Sequence, residues 1–175
     1  MKKLILFTVV ACMLLCLAGC GAGDTGENNS SGTVESTTGG DNQPGFAFTY
    51  KNTEITLHAP AAPIVAALGE PVKYTEAPSC AFLGLDKTYY YGSFYLETYP
   101  KDGQDYVYGW WFADDSVATQ EGIYIGSAQA DVEKAYGTAG YNGSNAYVIN
   151  RNGGTLTVIL KDGVVSSIQY ATAQS

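Results

Sequence analysis

Apolar and polar residues alternate with a period of two through Phe46-Ala47-Phe48-Thr49-Tyr50 and, after a turn at Asn52, through Glu54-Ile55-Thr56-Leu57, so both stretches read as strands. The spacing then lengthens to that of a helix, and it does so twice. Sliding the chain by 68 positions places Ile55, Leu57, Ala62, Ile64, Ala67, Leu68 and Gly69 on Ile123, Ile125, Ala130, Val132, Ala135, Tyr136 and Gly137. Each copy predicts a short strand entering a helix of two to three turns, closed by a glycine in the left-handed region. Ser127 is the expected N-cap of the second helix; in the first, Pro60 suits an early position and Pro63 shortens or distorts the helix.

Downstream of each helix alternation returns. Lys101-Asp102-Gly103 and Lys161-Asp162-Gly163 interrupt paired strand-like runs and read as hairpin turns. In the second half, Ala146 to Arg151, Thr155 to Lys161 and Val164 to Thr172 make three strands. The first half offers Ser79 to Gly84, Ser93 to Tyr99 and Asp105 to Ala113, with an extra strand or loop through Tyr89-Tyr90-Tyr91. The expected fold class is α+β: two tandem helix-plus-antiparallel-meander units, residues 46–118 and 119–175, forming one sheet with helices packed on one face.

The strand, the helix carrying an apolar pair and ending in glycine, and the following meander, all in tandem, resemble the beta-lactamase inhibitor protein-like fold. Small lipoproteins of the outer-membrane beta-barrel assembly machine share this kind of unit. The segment Thr119-Gln120-Glu121-Gly122-Ile123-Tyr124-Ile125-Gly126-Ser127, followed by Asp131-Val132 and Tyr136-Gly137, is similar to one recurrent in uncharacterised bacterial lipoproteins. The resemblance implies a fold used for protein binding and envelope assembly, and it carries over no catalytic residue. The first copy departs from the pattern at His58 and Pro63.

Lys2-Lys3, the apolar run from Leu4 to Leu17 and the small residues before Cys20 read as a secretory signal, since the run is shorter than the roughly 20 residues a spanning helix needs. Leu17-Ala18-Gly19-Cys20 is similar to the lipobox of bacterial lipoproteins, which implies cleavage after residue 19 and a diacylglycerol on Cys20. The bilayer is then the first partner, and the chain sits on the extracytoplasmic face of the cell membrane. Residues 20–45, rich in Gly, Ser, Thr, Asn, Asp and Glu, have too little apolar surface to fold and form a tether with a mean span of roughly 25 to 30 Å. The remaining stretch of about 130 residues suits one core.

Charge narrows the partners. Without Lys2 and Lys3 the chain has 7 basic against 17 acidic residues, a formal charge of −10 that disfavours nucleic acid and polybasic docking on lipid. Cys12 and Cys16 leave with the signal, so Cys80 is the one free thiol, and its apolar surroundings predict a buried, inert side chain. His58 is the lone histidine, which gives neither a catalytic base within a recognisable constellation nor a metal-ligand spacing; no cofactor is expected. Asp102, Asp105, Asp114 and Asp115 are expected as turn formers, with a carboxylate hydrolase as the lowest-ranked reading.

Aromatic residues remain: 14 Tyr, 6 Phe and 2 Trp, concentrated between Phe82 and Phe112. Alternation directs Phe94, Leu96, Tyr108, Trp110 and Phe112 to the core, and Tyr95, Tyr99 and Trp111 to the opposite face with Glu97. Large rings on an uncovered sheet face are the composition of a binding surface. A non-enzymatic protein-binding module is therefore expected, and a glycan or peptidoglycan module using Tyr95, Glu97, Tyr99 and Trp111 is the alternative.

Overall fold

The computed structural model describes residues 44–173. The signal segment, Cys20 and the tether up to residue 43 lie outside the described residues. The elements run β1 (Ala47–Tyr50), β2 (Thr53–Thr56), α1 (Ala61–Leu68), β3 (Lys73–Pro78), β4 (Leu85–Tyr90), β5 (Phe94–Lys101), β6 (Gln104–Phe112), α2 (Gln129–Tyr136), β7 (Ala146–Arg151), β8 (Gly154–Lys161) and β9 (Val164–Thr172). The class is α+β, dominated by antiparallel sheet.

Seven strands form one sheet in the order β3-β4-β5-β6-β9-β8-β7, every pairing antiparallel. The meander β3 to β6 thus meets the meander β7 to β9 where β6 pairs with β9. Close approach there depends on Gly109, since a Cβ at that position would lie 2.1 Å from the Tyr170 carbonyl oxygen. The hairpins β5-β6 and β8-β9 turn where the Lys-Asp-Gly runs predict, with positive φ at Asp102 and Gly103 and at Asp162 and Gly163.

Strands β1 and β2 form a separate two-stranded hairpin. It packs with the helices against one face of the large sheet: Phe48 meets Phe94, Trp110 and Phe112, and Phe46 meets Tyr170 edge-on. Ile64 and Leu68 of α1 and Val132 of α2 complete the same core. Both helices end at glycines with positive φ, Gly69 and Gly137, whose N–H groups close the last turn onto Val65 and Glu133.

Several local expectations are corrected. Ser79 to Gly84 is a loop, and the strands on either side of it are β3 and β4, the latter containing Tyr89 and Tyr90. Ile123 is buried but belongs to no strand, so the second helix is entered from turns. Ser127 caps no helix: its hydroxyl accepts the Tyr124 N–H and closes the preceding turn, leaving Ala128 at the N-cap. Pro63 falls in the first turn of α1, where its missing N–H removes no helical bond, and the helix runs on to Leu68.

A polar knot locks the second half. The Tyr136 hydroxyl bonds Thr119 Oγ1 and Glu121 Oε2, each at 2.8 Å, and Arg151 Nη1 donates to Glu121 Oε1 at 2.8 Å while lying over the rings of Phe46 and Tyr136. Partial burial pushes the Glu121 carboxyl up, but the hydrogen bonds from Tyr136 and Arg151 outweigh it and hold it below the usual carboxylate range.

Candidate functional site

The face of the sheet turned away from the helices is organised by cross-strand register. One row crosses all seven strands, Lys73, Tyr90, Tyr95, Trp111, Gln169, Thr157 and Val148. Its centre is a ladder of rings. Tyr95 stacks on Trp111 at 4.6 Å between centroids and 10° between planes, and on Tyr90 at 4.4 Å and 24°. Because β4 and β6 flank β5 on opposite sides, both faces of the Tyr95 ring are covered by protein. The ladder offers a partner its edges and hydroxyls, and all three rings are half-buried.

The neighbouring row contains Thr88 and Glu97, and there β6 carries a bulge. Glu97 faces Gly109 while Thr98 faces Val107, so Tyr108 is the extra residue. The bulge reverses the alternation. C-terminal to it Trp110 and Phe112 are buried as expected; N-terminal to it Val107 is the buried residue. Tyr108, expected in the core, instead lines the outer face beside Tyr99 and Glu97. Gly109, which has no side chain to alternate, sits beside this extra residue.

Tyr99 belongs to a second cluster rather than to the ladder. Its ring lies 5.0 Å from Phe82 and 5.9 Å from Tyr106, and its hydroxyl hydrogen-bonds with His58 Nδ1 at 3.1 Å. His58 is held with φ +61 by the bond from its N–H to the Val107 carbonyl. Ala81 and Phe82 of the β3-β4 loop join Tyr99 and Tyr108 in lining a groove with two recesses. One, of about 250 Å³, adds Asp86, Thr88 and Glu97; the other, of about 440 Å³, adds His58 and Lys101. One end of the groove is therefore acidic and the other basic.

Glu97 is half-buried and has no ion-pair partner among the described residues. Burial, helped by the nearby charge of Asp86, raises its carboxyl above the usual range. Lys87 also lines the acidic recess, but its ammonium is bound to Asp105 at 2.6 Å. Cys80, expected to be buried and inert, is exposed in the same loop because Ser79 to Gly84 lies outside the sheet. Asp114 accepts the backbone N–H and the hydroxyl of Ser116, as a turn former does. Among the described residues no group of three or more His, Cys, Asp or Glu is placed to hold a metal ion.

Tyr95, Glu97, Tyr99 and Trp111 all lie on the face of the sheet turned away from the helices, with Tyr95 and Trp111 brought together and Tyr99 set apart. Sequence reasoning missed Tyr90, Tyr108, Phe82 and Asp86. Tyr90 had a legible signal in the β-prone run Thr88-Tyr89-Tyr90, whereas Phe82 reaches the groove through a loop whose path no periodicity encodes, and Asp86 stands at the start of β4 where the sequence shows no alternation. No family model matches the chain, and no curated protein or solved structure shows a significant similarity to it.

Proposed function

We propose that this chain is a lipid-anchored, extracytoplasmic protein-binding module, non-enzymatic, built from two helix-plus-meander units and anchored through Cys20. The observation that carries the reading is the ring ladder Tyr90-Tyr95-Trp111 beside the Tyr99 groove on the face opposite the helices. Tyrosine and tryptophan edges give large contact area at small entropic cost, as protein interfaces use them. The glycan alternative needs open ring faces, and both faces of Tyr95 are occupied, which weighs against sugar stacking at that residue.

Site-specific photocrosslinking tests it in the cells that make the protein. The full chain carries a benzophenone side chain at Tyr95 or Tyr99, or at Lys134 on the exposed side of α2 as a control. Discrete protein adducts from the sheet face, absent from position 134 and lost in Trp111→Ala, are expected; Cys20→Ser should remove the chain from the fatty-acid-labelled membrane fraction. Cell-wall adducts in place of protein would support the glycan reading, and equal labelling from both faces would defeat the proposal.

A further inference from the structure

We propose that the recess formed by Glu97, Asp86, Phe82, Tyr99 and Tyr108 is the seat of a basic side chain, lysine or arginine, projecting from a protein partner. This inference rests on the protein-binding reading and names the chemistry that the partner must bring.

Three observations converge on a cation. The recess carries Glu97, a carboxylate drawn partly out of water with no basic residue paired to it among the described residues. Removing a carboxylate from water is costly unless a counter-charge or hydrogen bonds replace the lost solvation, so the recess is more complementary to a cation than to water alone. The walls are aromatic, and a cation over the face of Tyr or Phe within about 6 Å gains from the ring quadrupole. Asp86 adds a second negative charge next to the first. The ammonium of Lys87, which also lines the recess, is already committed to Asp105.

Size and charge choose the source. At about 250 Å³ the recess falls below the roughly 300 to 1,000 Å³ of ordinary small-molecule sites and has room for one side chain. It opens into the second recess across Phe82 and Tyr99, so a chain continuing from the inserted residue has a groove to follow, with His58 and Lys101 at the far end to meet an acid. A chain with 17 acidic against 9 basic residues also attracts basic partners from a distance.

The test is a titration of the full chain with N-acetyl-lysine amide, followed by carbon-13 NMR of labelled Glu side chains and of the tyrosine rings. N-acetyl-norleucine amide, similar in its aliphatic stem but uncharged, is the control. The lysine probe should shift Glu97 and the Tyr99 and Tyr108 rings saturably, the norleucine probe should not, and Glu97→Gln should weaken binding at least tenfold. Asp86→Asn, at an exposed position of β4, should weaken it severalfold and guards against misfolding of the Glu97 variant. Equal response to both probes, or no saturable response, overturns the inference, and a preference for choline over the lysine probe overturns it in favour of a small quaternary ammonium ligand. Photocrosslinks from Tyr95 that persist in Glu97→Gln would leave the protein-binding reading standing while removing this seat from it.

Discussion

Tyr95 and Trp111, directly opposite each other on β5 and β6, lie with their ring planes 10° from parallel and their centroids 4.6 Å apart. Such stacked pairs contribute about 0.5 to 1.5 kcal/mol beyond the area they bury. A double-mutant cycle of Tyr95→Ala and Trp111→Ala, read by urea unfolding, should return a coupling energy in that range. A coupling indistinguishable from zero would mean that the two rings act independently and that the ladder is no unit.

The acid dependence of stability carries two opposite contributions. Glu121 is held below the usual carboxylate range, so its contribution is present above that range and is lost as pH falls through the lowered value. Arg151→Met should cost about 1 to 3 kcal/mol at neutral pH, and the deficit should shrink on acidification. Glu97 is raised, so the native state binds its proton more tightly than the unfolded state does, and stability falls as pH climbs from the usual range through the raised value. Glu97→Gln should match the wild type in acid and exceed it at neutral pH. Unfolding midpoints of both variants from pH 3 to pH 8 check the signs; a Glu97→Gln deficit that grows with pH would contradict the second.

At the junction of the two meanders Gly109→Ala should be severely destabilising. Its Cβ would meet the backbone of Tyr170, which cannot swing aside as a flexible side chain can. A loss of about 2 to 3 kcal/mol by denaturant unfolding is expected. A neutral result would show that β6 and β9 can separate locally without loss of packing.

The second half of the chain was legible because its signals agree: Asn-Gly and Asp-Gly pairs mark the turns, and between them Leu156, Val158, Ile168 and Tyr170 alternate cleanly into the core. The first half was harder. Ser79 to Leu83 has the composition of a strand, yet the run turns over at Gly84, leaving Phe82 partly and Leu83 fully exposed. Apolar residues on a loop look like a strand when only composition is read. The candidate face was legible for the same reason as the core, since alternation places Tyr95, Glu97 and Trp111 together, but Tyr108 was misassigned because no periodic signal announces a bulge. Lys73 to Pro78, exposed along its whole length, lacks the apolar contrast that would have revealed a strand.

The two edges of the sheet are managed differently. Outside β7, Gly140 accepts the Val148 N–H and Asn142 donates to Ala146, so a neighbouring loop satisfies that edge, while β3 stands at the other.

The bulge at Tyr108 makes β6 a strand that serves two sides of the molecule. Its first half gives Tyr108 to the groove and sets Tyr106 against Tyr99, and its second half gives Trp110 and Phe112 to the core. A substitution at Tyr108 changes the chemistry of the groove. Deletion of the Tyr108 codon would restore uninterrupted alternation, with Val107 still facing the core, and would take that ring out of the groove. The length of this one strand, counted in residues rather than in side-chain types, is therefore what a lineage must keep in order to keep the groove.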